Sequence, residues 1–157
     1  MEIPIVFDHA RWMREAFCQA EKAFESNEIP VGAVIVRDGQ IIGRGYNQRE
    51  QLLDPTAHAE MIAITAAANT LGDWRLNECT LYVTKEPCSM CSGAIVNARI
   101  GMVIFGCYDD KKGCCGSLYN MCTDSRLGKP IPVKGGIMED QCLSILQEFF
   151  QKKRRIN

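Results

Sequence analysis

TLYVTKEPCSMCSGAIVNARIG, residues 80–101, is the stretch whose reading decides the fold. Cys79 to Thr84 reads as a short apolar strand, Pro87 breaks it, and Cys88 to Ala98 reads as a helix. Met102 to Phe105 follows as a further strand. Upstream, His58 to Leu71 is rich in Ala, Met and Ile nearly all round, which predicts a buried helix, and Gly72 is its C-terminal stop. Leu52 to Thr56 is a loop holding Pro55. Val31 to Val36 and Gln40 to Tyr46 read as strands joined by Asp38-Gly39, a strong hairpin signal. Asp8 can cap a helix in which Met13, Ala16, Phe17, Ala20 and Phe24 share one face, ending near Asn27. Downstream, 107–137 is irregular, with glycines at 113, 116, 128, 135 and 136 and prolines at 130 and 132. Glu139 to Arg154 closes the chain as a helix whose expected inward face is Cys142, Leu143, Leu146, Phe149 and Phe150. A hairpin followed by strand–helix alternation predicts an α/β protein with a mixed sheet covered by helices.

The 157 residues suit a single domain, 1–157, around one core. Apolar residues make up 46% and charged residues 24%, an ordinary balance for a soluble globular chain. No apolar run reaches the roughly 18–20 residues of a membrane helix. Met1 to His9 carries Glu2 and Asp8 and no basic segment, unlike a signal peptide, so a cytoplasmic protein is expected. The nine cysteines are odd in number, which favours free thiols or metal ligands over a disulfide framework. Cys18 and Cys142 are expected on core-facing helix surfaces, and Cys79 in a buried strand. The net charge of −1 is uneven: residues 1–78 hold 7 Lys/Arg and 12 Asp/Glu, residues 79–157 hold 11 and 7. The run Lys152, Lys153, Arg154, Arg155 suits a helix C-terminus, and equally a surface that meets phosphates.

Two segments carry chemistry. His58-Ala59-Glu60 opens one helix, and Pro87-Cys88-Ser89-Met90-Cys91 opens the next. Cysteines at i and i+3 on a first helical turn share a face, and helix N-termini stabilise thiolates. Both sulfurs can therefore reach one ion. Of the two histidines, His58 is the better placed third ligand, since His9 has no ligand-like neighbours. Three protein ligands leave one tetrahedral position open, the mark of a catalytic zinc site with an acidified water. Glu60 is positioned to face that water as a proton shuttle. Cys107, Cys114, Cys115 and Cys122 lie in or beside the irregular segment; Cys114 and Cys115, being adjacent, are poorly arranged for a second ion.

The order H-x-E…P-C-x-x-C is the signature of the zinc nucleobase deaminases. Beyond it, the sequence resembles the bacterial tRNA-specific adenosine deaminases over nearly its whole length. The resemblance is carried by PVGAV at 30–34, DPTAHAE at 54–60, residues 80–101, VIFG at 103–106, GCCGS at 113–117 and the terminal EFF helix. It implies a cytidine deaminase-like three-layer α/β/α sandwich with one zinc ion per subunit, in a homodimer. It implies hydrolysis of adenosine to inosine at the wobble position of a tRNA anticodon loop. By the same resemblance Asn47 matches a position that holds the purine, and Asp109 an acidic position beside the nucleotide backbone. The chain departs from the pattern at Lys85, where relatives often carry an apolar residue. It departs again at the cysteines of GCCGS, where relatives often carry alanines, and at Tyr108, a frequently basic position.

Two other readings compete. One is a deaminase of a free base or nucleoside, guanine or cytosine, on the same fold; the basic second half and the 107–137 segment favour RNA over it. The other is a noncatalytic zinc-stabilised binding module. That module would need a fourth protein ligand, for which 107–122 offers cysteines, and would leave Glu60 without a role.

Overall fold

The computed structural model describes residues 8–156. Asp8 caps α1 (His9–Glu25), its carboxylate accepting from the Arg11 N–H at 3.1 Å. The hairpin follows as β1 (Gly32–Arg37) and β2 (Gln40–Tyr46). Asp38 and Gly39 take φ of 50° and 70°, the paired positive values that a two-residue hairpin turn requires. A short helix, α2 (Arg49–Leu52), precedes α3 (Ala59–Leu71), β3 (Thr80–Lys85), α4 (Ser89–Asn97) and β4 (Met102–Cys107). After a long loop come β5 (Val133–Lys134) and α5 (Glu139–Ile156).

The five strands form one sheet in the order β2-β1-β3-β4-β5. β1 is antiparallel to both β2 and β3, whereas β3, β4 and β5 run parallel. The sheet is therefore mixed. Its strands alternate between two cores, as the pleat dictates. Ala33, Ile35, Leu81, Val83, Val103 and Phe105 face Ala59, Ala63 and Ala67 of α3 and Ile95 of α4. Val34, Val36, Tyr82, Ile104 and Cys107 face Met13 and Ala16 of α1 and Cys142 and Leu146 of α5. Three layers result, with α3 and α4 on one face and α1 and α5 on the other.

One close approach positions the site. Gly43 and Gly45 on β2 lie under α3, whose inner face is alanine. A Cβ at Gly43 would stand 2.5 Å from the Ala63 carbonyl oxygen, and one at Gly45 would stand 2.7 Å from the Ala63 nitrogen. Glycine against alanine thus lets helix backbone rest almost on strand backbone.

The structure corrects several expectations. α3 is not buried all round: Ala59, Glu60, Ala63 and Ala67 are, but Thr65, Asn69 and Thr70 face solvent. Its small inner residues bury one narrow stripe. On α5 the buried stripe is Cys142, Ile145, Leu146 and Phe149, whereas Leu143 and Phe150 are 42% and 43% exposed. The packing follows i, i+3, i+4, i+7, so residues one step aside fall on its edge. Cys18 is exposed for the same reason, lying off the Met13–Ala16–Ala20 stripe. Cys79 and Cys142 are buried, as expected.

Candidate metal centre and active site

Two helices begin at one point. His58 is the N-cap of α3 and Cys88 the N-cap of α4, both with extended backbone. Pro87 ends the β3 exit and turns the chain into α4. Cys91 then follows inside the first turn of that helix and is fully buried. His58 Nδ1 lies 3.6 Å from the Cys88 sulfur and 3.5 Å from the Cys91 sulfur. The ligand atoms of all three residues lie within 4.8 Å of one another. Among the described residues this is the sole group of His, Cys, Asp or Glu side chains so arranged.

These residues fit zinc. Bonds of about 2.3 Å to sulfur and 2.0–2.1 Å to nitrogen, at a tetrahedral angle, span roughly 3.5 Å between ligand atoms. The two N···S distances match that span. The hydrogen bond from Cys91, aided by His58 and opposed by burial, pulls Cys88 down to about 3, and the same bond pushes Cys91 up. A thiolate is therefore already favoured at the helix start, as metal binding requires. His58 is raised, chiefly by its hydrogen bond with Cys88.

Glu60, in the first turn of α3, is 4% exposed. Burial dominates its titration and raises it above the ordinary carboxylate range, against the charge of His58. A carboxyl aimed into the pocket is a group that can take and return a proton. It shares a pocket of about 140 Å³ with His58, Cys88 and Asn47. Ile29 and Val31 form an apolar wall, and Arg49, Lys85, Asp109 and Lys112 stand around the cavity.

Asn47 is buried where β2 runs into α2. Its amide donates to the Ile29 carbonyl at 3.1 Å and its oxygen accepts from the Arg49 N–H at 3.2 Å. One N–H and one lone pair remain for a bound molecule. Asp109 also lines the pocket, where its carboxylate meets Lys85 at 3.1 Å.

Two acids escaped the sequence reading. Glu86, 3% exposed, accepts from the backbone N–H groups of Asp109 at 3.1 Å, Cys115 at 3.1 Å and Ser117 at 2.9 Å, and from the Ser117 hydroxyl. It ties the 109–117 loop to the end of β3. Glu28, 1% exposed, accepts from the N–H groups of Glu50 and Gln51, each at 2.9 Å, and so caps α2 from a distance. The available signal was an acid before Pro87 and another before Pro30, each with no local donor to serve. In the same loop Cys115 and Cys122 approach to 3.6 Å, while Cys114 bonds to the Lys112 carbonyl.

The MafB19-like deaminase family model matches residues 7–154. The chain is 45% identical to the tRNA-specific adenosine deaminase of Bacillus subtilis, across 92% of this chain and 89% of that one. A solved structure from a study of A-to-I editing by tRNA:A34 deaminases superposes with a TM-score of 0.83 at 38% identity, covering 86% of this chain and 98% of the other. The guanine deaminase of Bacillus subtilis aligns at 41% identity with a TM-score of 0.62, over 65% of this chain and 66% of that one.

Proposed function

This chain belongs to the family of tRNA-specific adenosine deaminases, and from that premise we propose how its residues deaminate the wobble adenosine of a tRNA anticodon. It is an enzyme that hydrolyses adenosine to inosine. The observation that carries the mechanism is Glu60, a buried carboxyl beside a His–Cys–Cys donor set with the spacing of a tetrahedral ion.

His58, Cys88 and Cys91 would hold one zinc ion. Zinc bound there supplies Lewis acidity that makes a water molecule a nucleophile at neutral pH. Glu60 takes the proton of the attacking water and delivers it to N1 of adenine. The oxygen adds at C6. Glu60, again a carboxylate, takes the remaining proton of the added hydroxyl and passes it to the exocyclic amine; the C6–N6 bond breaks, a C6 carbonyl forms and ammonia leaves. Asn47 orients the purine with the N–H and lone pair that its own backbone contacts leave over. Ile29 and Val31 cover the base. An unpaired anticodon loop gives up its base at lower cost than a duplex would.

The same reading takes the whole chain, 1–157, as one deaminase domain, consistent with a family match spanning residues 7–154. It assigns a homodimer, for which the exposed Leu53, Leu118 and Tyr119 offer apolar side chains to cover. It assigns a cytoplasmic setting. Among the described residues no helix is long and apolar enough to cross a membrane. Asp109 would stand beside the nucleotide backbone.

The likeness to a guanine deaminase favours one rival, a free-base enzyme. Incubation of the zinc-loaded protein with tRNA and, separately, with guanine and cytosine distinguishes them. Inosine in the digested tRNA is the expected result; ammonia released only from free bases would overturn the reading.

A further inference from the structure

The pocket mouth holds an ion pair that the mechanism above does not use. Lys85 ends β3 and Asp109 lies just past β4; their charged groups meet at 3.1 Å, with side chains 31% and 14% exposed. The parallel register sets Lys85 beside Cys107, so the pair bridges two neighbouring strand ends. The carboxylate of Asp109 also accepts the backbone N–H groups of Lys111 at 3.1 Å and Lys112 at 3.2 Å. It is thus fixed on three donors, one of them a side chain from another strand.

The other carboxylates lining the pocket are already committed. Glu60 belongs to the reacting centre, and Glu86 is used by loop backbone. Asp109 is the remaining one, beside Arg49 and Lys112. Left unpaired, its charge would oppose an incoming phosphate.

We propose that Lys85 is a substrate-positioning residue: it clamps Asp109 onto the 109–112 turn and cancels its charge, so that Arg49 and Lys112 dominate the mouth where the nucleotides flanking the target base must lie. The inference rests on the tRNA reading. Burial alone would raise Asp109, but the hydrogen bond and charge of Lys85 outweigh it and hold the carboxyl below its ordinary range. A side chain that merely stapled the loop would support catalysis and binding alike. A positioning residue instead acts on association with RNA.

The test measures kcat and KM of the zinc-loaded chain on an anticodon stem-loop, with Lys85→Met, Lys85→Gln and Lys85→Arg. Lys85→Met should raise KM about three- to fivefold while kcat stays within about twofold, the size expected for one partly exposed pair. Lys85→Gln, which keeps a donor and most of the stem, should show the same split if Lys85→Met folds poorly. Lys85→Arg should stay near wild type. A fall in kcat at unchanged KM, or a Lys85→Arg variant as impaired as Lys85→Met, overturns the proposal. Absence of inosine with the wild-type protein would instead remove the tRNA reading itself, and this inference with it, before any variant is compared.

Discussion

Gly45 lies on β2 under the first turn of α3, the helix that carries Glu60 and is capped by His58. A Cβ there would stand 2.7 Å from the Ala63 nitrogen and 3.0 Å from the Ile62 Cβ, and closer still to the Ala59 carbonyl oxygen. Ordinary contact begins near 3.4 Å, so Gly45→Ala must lift the start of α3 by about 1 Å, since backbone cannot give way as a flexible side chain can. The lift moves His58 and Glu60 relative to Cys88 and Cys91, which ride on a different helix. A displacement of that size at a reacting centre costs on the order of 100-fold in rate, with about 1–3 kcal/mol of stability from overpacking. Gly43→Ala is the control. Its Cβ would press 2.5 Å from the Ala63 oxygen and 2.7 Å from the Ala67 nitrogen, about a turn further from the site. It should lose similar stability and much less turnover. Inosine formation, zinc content and thermal melting of both variants give the comparison. The reasoning fails if Gly45→Ala keeps turnover within about threefold of wild type with full zinc, or if Gly43→Ala loses as much activity.

Glu60→Ala should retain zinc, as measured by metal analysis, and lose at least about 100-fold in turnover, the low end for removing a general acid–base group. Glu86→Ala leaves buried N–H groups unpaired and should cost about 3–5 kcal/mol. Hydrogen exchange would read it as lost protection at Asp109, Cys115 and Ser117. Asp109 titrates below its ordinary range, so its contribution to stability is complete above the usual carboxylate pKa and disappears as pH falls through the lower folded value. Asp109→Asn should therefore flatten the acid limb of a melting-temperature profile below about pH 4 and leave the neutral-to-alkaline shape unchanged. Prolonged chelation should abolish activity and lower the melting temperature; zinc at about 100 times its dissociation constant adds near 2.7 kcal/mol, so restoring it should recover both.

The strand–helix order and the pairing of Cys88 with Cys91 were legible because each rests on local pattern, whereas His58, 30 residues from Cys88, was singled out as the better placed of only two histidines. Pro87 stops a strand, Asp38-Gly39 turns a hairpin, and Cys-x-x-Cys places two sulfurs on one helical turn. Other features depend on partners distant in sequence. α2 fell mostly between the elements read from the sequence, with only Leu52 inside the expected Leu52–Thr56 loop, because the carboxylate that serves its N–H groups is Glu28, more than 20 residues earlier. β5 is two residues long and follows Pro130 and Pro132, which mask it. The placement of Leu143 and Phe150 on the rim of α5 depends on where α1 and the sheet lie, which periodicity alone does not specify. The partnership of Lys85 with Asp109 likewise depends on strands whose pairing becomes visible only when folded.

The contacts of Glu86 are almost all to main chain, and main-chain amides are the same whatever residue bears them. The neighbouring positions Tyr108, Asp110, Lys111 and Lys112 can thus change identity without loosening the turn that displays them. A lineage that needs a different RNA partner can repaint this rim one side chain at a time, as long as Glu86 and Asp109 stay in place beneath it.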